Sequence, residues 1–161
     1  MIDTSSIIEV RRGVANGLKP AVFQAMSELV ANGRLVFPSQ VLDELERFAD
    51  PAAPDAQYQW ARRNAATATE RATSVFEEVA EVLAVVPTVL DPDKDSGVEE
   101  ADPYVLAAAL KLRQQDLDCR VITEERHDTP TRTSLNTAAG LLGLPSVPLL
   151  AFLASEGIAF R

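Results

Sequence analysis

The chain has one cysteine, Cys119, and one histidine, His127, in 161 residues. A single thiol excludes an internal disulfide framework, and the pair is too few for a zinc cluster of usual composition. A reducing, cytoplasmic setting fits this cysteine usage. No apolar run reaches the roughly 20 residues that span a bilayer, and the longest are broken by Pro or Gly, so no membrane location is expected. No basic segment followed by an apolar stretch opens the chain, so no secretory leader is expected. No glycine-rich phosphate loop follows a strand, and no nucleophile elbow accompanies His127. Basic residues are also scarce: Lys and Arg total 15 against 24 Asp and Glu, a formal charge of -9. That balance disfavours a protein that coats nucleic acid through its phosphates. It leaves room for a nuclease that gathers acids at one point to hold a cation and keeps a few basic residues around the rim.

The length suits a single domain over residues 1–161 with a proper core. No repeat, low-complexity tract or linker divides it. Residues 2–8 read as a strand or strand end. From Pro20, Val22, Phe23, Met26, Leu29 and Val30 mark one helical face, which Asn32-Gly33 closes. "RLVF", 34–37, is a strand candidate. Ser39 then offers an N-cap for a helix with Val41, Leu42, Leu45 and Phe48 on one face. Residues 55–83 read as one or two Ala- and Glu-rich helices, and "AVVPTVL" as an extended run broken by Pro87. "ADPYVLAAALKLRQQ" predicts a helix with Asp102 as N-cap and Pro103 at its first position. "CRVITEE" predicts a β-branched strand, Ser134 a cap for the helix that Gly143 stops, "SV" a short strand, and Pro148 to about Ser155 a last helix. Short strands alternating with longer helices imply an α/β fold with a parallel sheet and helices on both faces.

In such folds the active crevice lies beyond the carboxyl ends of the strands. Asp3, Glu44, Asp102, Glu124 and Glu125 all fall on that edge. Clustered carboxylates repel one another unless a cation compensates, and Mg²⁺ or Mn²⁺ prefers such oxygen donors. Each acid also has a plainer account. Asp102 before Pro103 can simply cap its helix. Glu44 can be a first-turn acid facing solvent, like Asp43 and Glu46 beside it. Glu124 and Glu125 can be loop acids paired with Arg126. Asp3 is hardest to dismiss, since a strand end among buried residues is a poor place for an unpaired charge. The Asp-rich segment "DPDKDSGVEEAD", 91–102, has the acid spacing of a calcium loop at its start. Ser96 stands where such a loop needs Gly and Asp102 where it ends in Glu, so a solvated loop is the better account.

Taken together, the four acidic motifs resemble the PIN domain family, small metal-dependent ribonucleases that include the toxins of VapBC-type toxin–antitoxin pairs. "IDTSSIIE" is similar to the family's opening strand ending in Asp-Thr-Asn/Ser. "VFPSQVLDEL" is similar to its second strand and Glu-bearing helix, "EEADPYVLAAAL" to its Ala-Asp helix start, and "CRVITEE" to its fourth acidic strand end. The ending "VPLLAFLASEGIAF" resembles a PIN-like branch in which Thr-x-Glu replaces Thr-x-Asp. The resemblance covers nearly the whole chain. It implies a three-layer α/β/α fold around a short central parallel sheet, and a magnesium- or manganese-dependent endoribonuclease. It implies Asp3, Glu44, Asp102 and Glu125 as catalytic metal ligands, with Glu124 as the alternative to Glu125. Ser5 and Thr123 would orient them, and Arg126, His127 and Arg132 would contact the RNA. An antitoxin protein is the implied partner, and a homodimer stays open. A non-catalytic PIN-like interaction module is the alternative function.

Overall fold

The computed structural model describes residues 1–50, 52–73, 76–92 and 99–161. Most of them are helical. Helix α1 spans Thr4–Gly13, α2 Lys19–Ala31, α3 Ser39–Phe48, α4 Ala56–Glu70, α5 Phe76–Val85 and α6 Ala101–Gln114. Strand β1 is Val121–Ile122, α7 is Leu135–Leu141, strand β2 is Ser146–Val147 and α8 is Leu149–Ser155. Short 3₁₀ turns occupy Asn16–Leu18 and Pro87–Val89. Mixed α/β class is therefore correct, but the fold is mainly helical around a small sheet.

β1 and β2 pair in parallel, Val121 opposite Ser146 and Ile122 opposite Val147. Ile2 adds a parallel bridge to Ile122 on the other side of β1. The Ile2 amide in turn donates to the Val36 carbonyl at 3.0 Å. Four chain segments thus lie side by side, though only two are regular strands. "RLVF" contributes this single bond and is extended chain rather than the expected strand. The N-terminal strand stops sooner than the apolar pattern of residues 2–8 suggests. The Asp3 carboxylate accepts from the Ser6 amide and starts α1 at Thr4, so Ile7 and Val10 are core residues of a helix.

Several local expectations hold. α2 buries Val22, Met26, Leu29 and Val30 and ends at Asn32, with Gly33 at φ +68°. The segment 55–83 divides into α4 and α5. Ser134 caps α7 by accepting from the Thr137 amide. Others fail for identifiable reasons. Ser39 lies inside α3 and makes no capping bond; the N-cap position belongs to Pro38. Phe48 is 67% exposed because α3 turns Val41, Glu44 and Leu45 inward instead. Pro87 opens a 3₁₀ turn, a position where its fixed φ and missing N–H cost little. Asp102 is not the N-cap of α6: Glu100 holds that place and Asp102 lies in the first turn. Residues 93–98, with Asp93 and Asp95 of the calcium-loop reading, lie outside the described residues.

The core is one continuous cluster. Ile2, Ile7, Leu35, Phe37, Leu106, Ile122, Leu149 and Leu153 are all essentially inaccessible. Helix α6 is buried over most of its surface, and Ala107, Ala108 and Ala109 let neighbouring elements approach its backbone closely. Among the described residues, no helix is long and apolar enough to cross a membrane.

Candidate metal centre

The parallel segments all run to the same edge, so whatever follows each of them is gathered there. Asp3 follows Ile2, Thr123–Glu125 follow β1, and α3 with Glu44 follows Phe37. The N-terminus of α6, with Asp102, closes the group. Asp3, Glu44 and Asp102 are three of the few polar residues that the fold buries.

Asp3 is held on both oxygens. Oδ1 accepts from the Ser6 amide at 2.8 Å, and Oδ2 accepts from the Ser5 and Thr123 hydroxyls, both at 2.7 Å. These bonds favour its charged form, but burial outweighs them and the nearby Glu125 adds to the penalty. The Asp3 pKa is pushed up from 3.8 to about 6. Ser5 and Thr123 are tied further into the edge. Ser5 Oγ accepts from the Glu124 amide and Thr123 Oγ1 from the Glu125 amide, each at 3.0 Å.

Glu44 faces inward. Its Oε2 accepts from Thr4 Oγ1 at 2.6 Å and its Oε1 from the Ala101 amide at 3.2 Å. It therefore caps α6 from a distance, a task the sequence pattern assigned to Asp102. Glu124 does the same for α8, accepting from the Leu149 amide at 2.6 Å. Both helices lack a side-chain cap of their own, so each would leave a first-turn donor unsatisfied without these acids. Glu124 also lies within electrostatic reach of Glu9.

Asp102 and Glu125 have no capping task. Both meet the Arg132 guanidinium: Asp102 Oδ2 accepts from Arg132 Nη2, and Glu125 lies 3.1 Å from the same nitrogen through Oε2 and 3.3 Å through Oε1. Glu125 Oε2 is buried and, despite that close approach, has no aligned hydrogen bond. Burial raises the pKa of Asp102 well above the usual carboxylate range. Glu125, Asp3 and Glu44 push it the same way, while Arg132 opposes them. Burial works against the Arg132 cation, but Asp102 and Glu125 override it and its pKa rises. The four acids expected from the sequence thus act electrostatically on one point.

Arg132 was expected on the RNA-facing rim; its head is instead turned onto the acids. Arg126 and His127 are exposed and share with Glu125 and Arg132 a hollow of about 270 Å³. Thr4 and the Ala101 amide were missed. Thr4 carried no signal of its own, whereas any helix start supplies free amides and a buried Glu could have been matched to one. Among the described residues, no group of three or more His, Cys, Asp or Glu side chains already stands as a formed metal-binding set. The chemistry of the donors nevertheless fits Mg²⁺ or Mn²⁺. They are hard oxygens, buried in Asp3, Glu44 and Asp102 and half-buried in Glu125, mutually repulsive and opposed by the Arg132 guanidinium, with Glu125 Oε2 lacking a hydrogen-bond donor.

A family described as a domain of unknown function (DUF4411) matches residues 1–160. No curated protein and no solved structure matches the chain.

Proposed function

We propose that this chain, which belongs to the DUF4411 family, is a Mg²⁺- or Mn²⁺-dependent endoribonuclease with a PIN-like three-layer arrangement. One observation carries the proposal. Asp3, Glu44, Asp102 and Glu125 come from four distant parts of the chain, yet Asp102 and Glu125 share the Arg132 guanidinium, Thr123 joins Asp3 to the Glu125 amide, and Glu44 bonds to the amide of Ala101 beside Asp102. Asp3, Asp102 and Glu125 would hold the ion. Glu44 would close the acidic wall while bonding to Thr4 and the α6 amide. Glu124 is committed to α8 and is the weaker choice for the fourth acid.

When bound, the ion would supply Lewis acidity to a phosphodiester oxygen and lower the pKa of a water molecule. The protein's part is positional. Thr123 and Ser5 fix the Asp3 carboxylate, and Thr123 also holds the Glu125 amide. Arg132 offsets part of the charge on Asp102 and Glu125, and a bound divalent cation would compete with it for them. The freed guanidinium, with Arg126 and His127 around the adjoining hollow, would then hold the RNA phosphates. The test is cleavage of a mixed RNA pool with Mn²⁺, with Mg²⁺ and with EDTA. Cleavage should need the metal, and Asp3→Asn should lose more than the roughly 10–100-fold that an orienting residue costs. A folded Asp3→Asn protein that cuts as fast as the parent contradicts the proposal.

The resemblance to VapBC toxins extends the proposal to a toxin restrained by an antitoxin in the cytoplasm. A small adjacent reading frame whose product co-purifies and blocks cleavage would support that extension. The Arg132 ion pair favours a second reading, a non-catalytic module in which the guanidinium permanently replaces the metal. That reading predicts no calorimetric binding of Mn²⁺.

A further inference from the structure

A cavity of about 670 Å³ lies away from the acids, between the end of α1, α2 and the first half of α4. This is within the roughly 300–1,000 Å³ typical of small-molecule sites. Its lining has a composition unlike the rest of the molecule. Arg11, Lys19 and Arg63 line it, and no Asp or Glu does among the described residues, although the chain as a whole carries -9. Lys19 Nζ donates to Asn16 Oδ1 at 2.7 Å, and Arg63 Nε donates to the Gln59 carbonyl at 3.0 Å. Neither bond neutralises a charge, and none of the three cations has an ion-pair partner among the described residues.

Behind the cations is an aromatic wall. The Phe23 and Trp60 rings lie 6.0 Å apart between centroids, inclined at 31°. The indole is buried: it packs on Phe37 as well, at 5.8 Å between centroids, and its N–H donates to the Phe23 carbonyl at 3.1 Å and to Ser27 Oγ at 3.0 Å, so the half-buried Phe23 presents the aromatic surface and Trp60 backs it. Gln57 lines the same space. It is 5% exposed, yet its amide has no hydrogen-bond partner among the described residues. The amide atoms are not among the buried polar atoms that lack a partner, so they face the cavity, where water or a ligand reaches them.

We infer that this cavity binds a nucleoside phosphate, with its phosphate among Arg11, Lys19 and Arg63, its base against the Phe23 ring that Trp60 backs and a base edge on the Gln57 amide. Cations alone would suit any anion, and the aromatic wall alone any apolar ring. Their combination with an amide that both donates and accepts selects a planar, hydrogen-bonding ring bearing negative charge. Such a group can be a free mononucleotide or one nucleotide of an RNA strand. Arg11 is eight residues beyond Asp3 along α1, about 12 Å by helical rise.

Trp60 is the only tryptophan in the chain, so its fluorescence reports this cavity directly. The protein, kept in EDTA so that no RNA is cut, is titrated with AMP, GMP, CMP and UMP, with inorganic phosphate, and with a short RNA oligonucleotide. Saturable change of Trp60 emission with a mononucleotide identifies a free ligand; change with the oligonucleotide alone identifies a strand. In either case Arg11→Ala with Arg63→Ala, both at exposed positions, should weaken binding about tenfold or more. Asp3→Asn should leave it unchanged, which separates this inference from the ribonuclease proposal. An emission that no probe changes overturns the inference. So does inorganic phosphate binding as tightly as any nucleotide, or a double variant that retains full affinity.

Discussion

Asp3 carries opposing demands within one side chain. It starts α1 as an N-cap, accepts from two hydroxyls and is buried where a charge is costly. Its pKa of about 6 lies above that of an unfolded Asp, so the folded state holds this proton more tightly. Without metal, stability should therefore be highest at low pH within the window and fall as pH rises from about 4 to about 6. The contribution is roughly 3 kcal/mol at most. Asp102 pushes in the same direction. Urea denaturation in EDTA at pH 4 and pH 6 checks this: the parent should be less stable at the higher pH, and Asp3→Asn should reduce that difference, with Asp102 keeping the remainder. Glu44 makes the opposite case. Its carboxylate satisfies the Thr4 hydroxyl and the Ala101 amide, so Glu44→Ala should cost about 1–3 kcal/mol, and Glu44→Gln clearly less.

At the scale of elements, the helices and both regular strands were legible: "CRVITEE" contains β1 and "SV" is β2. The apolar faces of α2, the Ala-rich length of α6 and the Ser134 cap are local features, fully present in their own residues. The strand readings that fell short are residues 2–8, where only Ile2 bridges β1 before α1 begins, and 34–37, which stay extended chain. Phe48 was misplaced because periodicity marks an apolar stripe without saying which neighbours arrive to cover it. The site shows the same division. The acids were legible as residues following apolar segments, whereas the Glu44 bond to α6 and the Glu124 bond to α8 depend on elements far apart in the chain. Arg132 was visible as a basic residue but not as a partner of Asp102, because 30 residues separate them. Helix stops give a direct test. Gly33 and Gly143 both have φ near +70°, so Ala at either costs about 1–2 kcal/mol in backbone strain. A Cβ at Gly143 meets nothing within 4 Å, while one at Gly33 would strike the Arg71 guanidinium. Thermal denaturation should therefore show Gly33→Ala to be at least as destabilising as Gly143→Ala.

For the whole molecule, the acidic balance and the proposed centre belong together. A chain of net charge -9 repels itself, and the acids at the sheet edge concentrate that repulsion where only Arg132 opposes it among the described residues. A divalent cation seated there should stabilise the entire fold by linkage, about 2.7 kcal/mol at a concentration a hundred times its Kd. Mn²⁺ should therefore raise Tm more than NaCl of equal ionic strength, and Asp102→Asn should remove the excess. Arg132→Met should behave differently: the metal-free protein loses stability, because the buried Asp102 and the half-buried Glu125 lose their counter-charge, and Mn²⁺ restores much of it. The most direct measurement is a crystal structure soaked in Mn²⁺ with anomalous scattering recorded. An anomalous peak bonded to oxygens of Asp3, Asp102 and Glu125 is expected, with the Arg132 guanidinium displaced from Asp102. Full soaking with no peak at these acids, and Arg132 still paired to both, would contradict the proposed centre.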